Sequence, residues 1–191
     1  GYSDVIVMRH PLAGSVAEFA EASRVPVING GDGDNEHPSQ ALLDLFTIKK
    51  ELESHNKKLD TVRIALIGDL KFGRAAHSLC KILMLYTNIS IKLVSPDKLR
   101  LPDFLINEFK KNNISILETQ DIKEGIADVD IIYMTRIQEE RFKNVSEANK
   151  YKGLMSLNQE IYTKNCEPNT IIMHPLPRDS RNCLLYTSPS P

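Results

Sequence analysis

Cysteine is scarce in this chain, and what there is lies too far apart to staple it. Cys80, Cys166 and Cys183 are odd in number and widely spaced, which fits neither a disulfide framework nor a zinc pattern. Cys80 sits in an apolar helical stretch and reads as a buried thiol; a reducing compartment is the default for such a chain. Net charge is also close to nil, 24 Lys and Arg against 25 Asp and Glu. No global basic field exists to hold nucleic acid or an anionic membrane, so any anion must be bound by a local cluster of cations. No apolar run reaches membrane-span length, and no signal peptide is visible. The chain opens on Gly1 rather than Met and enters a strand pattern by Val5. The expectation is therefore that a native N-terminus lies upstream, with any targeting segment. Cytoplasmic location is the default, with organellar targeting left open.

What is present is an ordinary globular mixture, 41% hydrophobic and 26% charged over 191 residues. That length suffices for one large domain or two small ones with real cores. A short continuous apolar run, typical of a strand buried on both faces, falls at residues 5–8, and further strands read at 26–28, 62–67, 89–94, 114–117, 130–134 and 170–173. Helical spacing predicts helices over 15–23, 38–48, 75–86, 103–111 and 121–127. Ser15-Val16-Ala17-Glu18 reads as a capping box opening the first, and Pro38 suits the first turn of the second. Residues 29–37 look too polar and glycine-rich for regular structure. From Gln138 onward the chain is polar and helical in part.

Strands alternating with helices imply parallel α/β architecture. A charged stretch over 51–60 reads as a connector. It divides the chain into a partial first domain, residues 1–50 with a linking helix, and a more complete second domain, residues 51–178. The tail 179–191 stands apart: its last nine residues carry no periodicity and end in alternating Ser and Pro. They read either as a disordered tail or, the favoured reading, as a cloning or assembly scar rather than native sequence.

Parallel α/β proteins bind ligands beyond the C-terminal ends of their strands. Those ends carry Arg9 and His10, the loop reaching His37, Arg74 after Gly68-Asp69-Leu70-Lys71-Phe72-Gly73, Arg136 and Gln138, and His174-Pro175-Leu176-Pro177-Arg178. One loop cation alone is more often solvated than functional. Five cation-bearing strand ends on one edge point instead to an anion-binding site, since the planar guanidinium binds carboxylate and phosphate bidentately. The Gly68–Gly73 turn has only two glycines with bulky residues between them, so it is neither a dinucleotide fingerprint nor a P-loop. Asp69 and Arg74 are placed at the N-terminus of the helix that follows, with Arg74 pointing into a cleft. His37-Pro38-Ser39-Gln40 sets a His at a helix N-cap and a Gln one turn later, where free amides favour an anion. His55 and His77 lack such context and read as structural or solvated.

Five ordered motifs carry a family resemblance over residues 2 to 178. Met8-Arg9-His10-Pro11, Gly31-Asp32-Gly33 with His37-Pro38-Ser39-Gln40-Ala41-Leu42-Leu43-Asp44, Gly68 to Arg74, Tyr133-Met134-Thr135-Arg136-Ile137-Gln138-Glu139-Glu140-Arg141, and Met173-His174-Pro175-Leu176-Pro177-Arg178 are similar to segments of the aspartate carbamoyltransferases. The resemblance implies two parallel-sheet α/β domains of the aspartate/ornithine carbamoyltransferase type, the first partial. It implies carbamoyl transfer from carbamoyl phosphate to L-aspartate in pyrimidine biosynthesis. Arg9, His37 and Gln40 would hold carbamoyl phosphate, with Arg9 and His37 polarising its carbonyl. Backbone groups at Leu176 and Pro177 would orient the carbamoyl group, and the bond between them would be cis. Arg74, Arg136 and Gln138 would clamp the two carboxylates of aspartate. No covalent intermediate, metal or organic cofactor is implied.

The sister ornithine enzymes carry Ser-Met-Gly where this chain has Met134-Thr135-Arg136. Arg136 would repel a cationic side chain and bind a carboxylate, which favours aspartate over ornithine or another amine. A non-catalytic paralogue binding a partner would have no need to retain Arg9, His37, Arg74 and Arg136. An NAD-type oxidoreductase is disfavoured by the missing glycines. The resemblance also implies a homotrimer with shared active sites and leaves open a regulatory subunit or fused partner domains. The family's Ser-Thr-Arg-Thr phosphate-binding turn and the lysine loop lent between subunits would lie upstream of Gly1. The expectation is that these 191 residues alone are inactive and not a stable monomer.

Overall fold

The computed structural model describes residues 2–142, 144–151 and 153–178. Residues 179–191, where a non-matching tail is expected, lie outside the described residues. Within them, strands and helices alternate in the order β1 (Ile6–His10), α1 (Ser15–Ala22), β2 (Val27–Asp32), α2 (Pro38–Ser54), β3 (Arg63–Ile67), α3 (Arg74–Leu83), β4 (Ser90–Val94), α4 (Asp103–Lys111), β5 (Ser115–Thr119), α5 (Ile122–Ile126), β6 (Ile131–Met134), α6 (Val145–Asn149), α7 (Gln159–Asn165) and β7 (Ile171–Met173). Every strand pairing is parallel, which gives the α/β class its expected form. No described helix is long and apolar enough to cross a membrane.

The strands form two sheets. β1 and β2 make a two-stranded sheet, and the others run in the order β5-β4-β3-β6-β7. The chain winds outward from β3 through β4 to β5, then returns to add β6 and β7 on the opposite side of β3. The direction of winding reverses between β3 and β6, and such a switch point opens a crevice at the strand ends.

The central strands β3 and β6 are covered on both faces, which is why residues 64–67 and 131–134 are unbroken apolar runs, whereas the edge strand β5 is largely exposed and carries Glu118 and Thr119. In β3, Ile64 and Leu66 face Leu79, Leu83, Leu105 and Phe109 of α3 and α4, together with Ile48 and Leu52 from the end of α2. Ala65 and Ile67 face the opposite way, onto Ile126, Met134, Met155 and Leu157. Each fully buried Leu or Ile contributes roughly 1.5–3 kcal/mol, so this strand anchors the turn that leaves its C-terminal end. Cys80 is buried in the first of these layers, as expected.

Three local expectations are corrected. The capping box at Ser15 does not form: the N-cap is Gly14, at φ 81°, and no side chain caps the helix. Ser15 Oγ instead donates to the Leu12 carbonyl at 2.7 Å, and the Gly14 amide donates to Asp32 Oδ2 at 2.9 Å, so a tertiary anchor displaces the local cap. The polar stretch 29–37 is not all irregular, because β2 continues to Asp32, which pairs with His10 and bridges Glu36. The connector over 51–60 starts late, since α2 runs on to Ser54. Ile48 and Leu52, one turn apart, bury against the larger sheet and hold those charged residues helical.

Candidate active site

The C-terminal ends of β1, β3, β6 and β7 and the N-terminus of α2 meet around one cavity of about 910 Å³. Arg9, His37, Gln40, Arg74, Arg136, Gln138, Leu176 and Pro177, the site residues singled out from the sequence, all line it. So do His10, Arg141 and His174. The first and last of these follow strand ends and were legible by the same rule. Arg141 belongs to a polar stretch whose path the sequence does not fix.

The turn leaving β3 is built around two residues. Gly68 has φ 114°, and a Cβ there would lie 2.3 Å from the Thr135 carbonyl oxygen, so only glycine lets the turn pass the segment leaving β6. Asp69 is fully buried, and its carboxylate accepts the amides of Phe72 at 3.0 Å and Gln138 at 3.1 Å. Burial raises its pKa against the opposing effect of those amides. Asp69 thereby ties the Arg74 turn to the segment bearing Arg136 and Gln138, a tie strengthened by the Gln138 side-chain amide donating to the Phe72 carbonyl at 2.6 Å. Arg74 is the first residue of α3, as expected of a side chain leaving that turn.

His37 is the N-cap of α2, with Pro38 in the first turn, but its ring makes no capping bond. Its backbone amide donates to Ser78 Oγ at 2.9 Å, and Ser78 in turn donates to Glu36 Oε2 at 2.7 Å. Lys81 pairs with the other Glu36 oxygen, so α3 anchors the residues on which the imidazole is mounted. Burial first, then the positive charges of Arg74 and Arg9, hold the His37 pKa below its ordinary value. Arg74 is itself lowered by burial, Arg9 and Arg141. Positive neighbours acting on both His37 and Arg74 mark a pocket that an anion would stabilise.

Several of these groups already have partners. Arg74 Nη1 donates to the Gly33 carbonyl, and Arg141 lies 3.8 Å from the Asp34 carboxylate, so two cations bridge to the 32–36 loop. Arg136 forks onto the Glu140 carboxylate. Leu176 and Pro177 are joined by a cis bond. His77, half-buried, donates from Nε2 to the Leu70 carbonyl at 2.7 Å, and His55 is exposed at the end of α2. Both are thus placed outside the cavity, as read.

Residues 1–50 match the family model for the aspartate/ornithine carbamoyltransferase carbamoyl-phosphate-binding domain, and residues 60–182 match that for the Asp/Orn-binding domain. The chain belongs to the aspartate/ornithine carbamoyltransferase family. Among its relatives, an aspartate carbamoyltransferase catalytic subunit from Cellvibrio japonicus is 62% identical over 181 residues, covering 95% of this chain and 54% of that protein. One from Saccharophagus degradans is 59% identical, with 95% and 54% covered. The chain thus spans about half the length of the curated relatives it matches. The catalytic subunit of M. jannaschii aspartate transcarbamoylase superposes with TM-score 0.82 at 42% identity, over 96% of this chain and 57% of that one. An aspartate transcarbamoylase from Trypanosoma cruzi in complex with carbamoyl phosphate and aspartate gives TM-score 0.82 at 36% identity, over 95% and 58%.

Proposed function

We propose that the protein carrying this chain transfers the carbamoyl group of carbamoyl phosphate to the amino group of L-aspartate, giving N-carbamoyl-L-aspartate and phosphate. The observation that carries the choice of acceptor is that Arg74 and Arg136 line the same cavity. Two guanidinium groups suit the two carboxylates of aspartate and would repel the ammonium side chain of ornithine. The T. cruzi relative, whose structure holds carbamoyl phosphate and aspartate, lends the same support.

In this reading Arg9, His37 and Gln40, with backbone groups at Leu176 and Pro177, hold carbamoyl phosphate, and Arg74, Arg136 and Gln138 hold aspartate. The amine attacks the carbonyl carbon, a C–N bond forms, the C–O bond to phosphate breaks with its electron pair going to the phosphate oxygen, and the proton lost by the amine leaves on the phosphate. A His37 kept neutral by its surroundings donates one N–H to the carbonyl oxygen, which gains negative charge as attack proceeds. Arg9 adds a second donor. Orientation of two bound reactants contributes on the order of 7–11 kcal/mol, so positioning is the larger share and no covalent intermediate is required. The domain division, residues 1–50 for carbamoyl phosphate and 51–178 for aspartate, belongs to the same proposal.

A homotrimer with shared sites and a cytoplasmic location complete the reading. Exposed Leu42, Leu43 and Phe46 along α2 support a covered face. The test is product analysis with carbamoyl phosphate and either aspartate or ornithine. Carbamoyl-aspartate as the sole product is expected; citrulline would overturn the choice of acceptor.

A further inference from the structure

Behind the cavity, Asp44 and Tyr133 form a polar cluster with Gln40 and have no part in the roles above. Gln40 lies on the cavity wall, half-buried. One turn along α2, Asp44 is 3% exposed, and its Oδ1 accepts Gln40 Nε2 at 2.9 Å. The other oxygen, Oδ2, accepts the hydroxyl of Tyr133 at 2.6 Å. Tyr133 is fully buried in β6, the strand that delivers Arg136.

A side-chain amide is nearly symmetric in shape but opposite in polarity at its two ends, two donors at nitrogen and an acceptor at oxygen. An ionised carboxylate can only accept. Burial raises the Asp44 pKa and the hydrogen bonds from Tyr133 and Gln40 oppose that rise; with both oxygens accepting, Asp44 admits the Gln40 amide one way round, nitrogen inward. The reversed amide would set oxygen against oxygen in a buried place, where an unsatisfied polar contact is costly. The end of Gln40 left for the cavity is its carbonyl oxygen. Tyr133 cannot move without disturbing the sheet, so it fixes Asp44 from behind, and burial of the pair shields the contact from water.

We propose that Asp44, held by Tyr133, is a positioning residue that fixes the polarity of the Gln40 amide and so makes the site select an acyl phosphate with N–H groups on its carbonyl carbon. The inference rests on the carbamoyl-transfer reading and names what sets its donor specificity. Carbamoyl phosphate carries an NH₂ where acetyl phosphate carries a methyl of similar size. The first can donate to Gln40 Oε1 and the second cannot. A site built to receive a hydrogen bond rejects the analogue that lacks it.

The experiment uses the protein at the length its source encodes. The KM of carbamoyl phosphate and the inhibition constant of acetyl phosphate are measured for the wild type, Asp44→Asn and Tyr133→Phe. In Asp44→Asn the new amide donates its Nδ2 to Gln40 while its Oδ1 keeps the Tyr133 hydroxyl, which reverses Gln40. The preference for carbamoyl over acetyl phosphate is expected to fall by about tenfold, the worth of one neutral hydrogen bond, while the KM of aspartate stays within about twofold. Tyr133→Phe, which removes one atom and little volume, is expected to lower the preference severalfold. Equal weakening of both acyl phosphates would indicate a merely structural role and overturn the proposal. So would an unchanged preference in folded Asp44→Asn or, should that variant not fold, in Tyr133→Phe. A wild type that makes no carbamoyl-aspartate overturns the underlying reading together with the selectivity; an active wild type with an unmoved ratio overturns the selectivity alone.

Discussion

Arg136 holds the carboxylate of Glu140, four residues along the chain, in a two-pronged grip on the wall of the cavity. The guanidinium thus already carries a carboxylate in the geometry that an amino-acid substrate would need. Charged hydrogen bonds of this kind are worth about 1.5–3 kcal/mol each. Replacing Arg136 with alanine is expected to raise the aspartate KM by roughly 10- to 100-fold, with a smaller effect on kcat. Steady-state kinetics at varied aspartate decide it, and wild-type aspartate kinetics would remove Arg136 from the aspartate site.

His37 is expected to titrate below the ordinary histidine value of 6.5, because burial and the charges of Arg74 and Arg9 disfavour its cationic form. The stability that this residue brings is present above 6.5 and is lost as pH falls through the lowered value. NMR titration of the imidazole reads the midpoint directly, and Arg74→Ala should move it upward by removing one positive neighbour. A midpoint at or above 6.5 in the wild type would contradict the electrostatics described for this pocket. In the active protein His37→Ala is expected to slow turnover by a factor on the order of 10²–10³, the usual loss for one oxyanion-type donor.

Asp32 organises the loop that carries His37. Burial pushes its carboxyl up, but bonds from Asn29, Asn35 and the amides of Gly14 and Glu36 outweigh burial and hold it at about 2, below the ordinary 3.8. Its contribution is therefore complete above 3.8 and is lost as pH falls toward 2. Asp32→Ala leaves several donors unpaired and should cost on the order of 2–3 kcal/mol. Urea unfolding of both proteins near neutral pH and again in acid checks the magnitude and the sign: the gap between them should narrow in acid.

Gly68→Ala places a Cβ against the Thr135 carbonyl and forces a side chain into a left-handed conformation. Backbone, not a flexible side chain, is the obstacle, so the strand ends must part. A loss of about 2–4 kcal/mol is expected, again by urea unfolding. Stability equal to the wild type would mean that the β3 and β6 ends do not touch as described.

Much of this arrangement was legible from residue order. β3 and β6 read correctly because a strand buried on both faces has no choice but to be continuously apolar, and α4 matched its expected bounds because Pro102 and the apolar spacing after it act locally. The same reasoning carried the site: once the strands are parallel, their ends share an edge, and Arg9, Arg74 and Arg136 follow. What periodicity cannot show is polar pairing at long range. Asp44 and Tyr133 are 89 positions apart, and His37 and Ser78 are 41 apart. Nothing near Asp44 in sequence distinguishes it from a solvated helix carboxylate. Ser15 failed in the opposite direction, since a good local signal for a cap lost to the distant carboxylate of Asp32.

The pair β1 and β2 has one further consequence. Among the described residues each strand pairs with one strand only, and apart from the Asp32–Glu36 bridge at the end of β2 no further strand covers the outer edges, beside which Val7 and Ile28 are exposed. An open edge is a template on which another strand can form without any matching side chain. The His37 end of the cavity is thus mounted on a surface that accepts reinforcement equally from the same polypeptide or from a separate one. Such an edge can take up a further strand by main-chain hydrogen bonds alone. Left uncovered, the same edge is where copies of the chain would stack on one another and come out of solution.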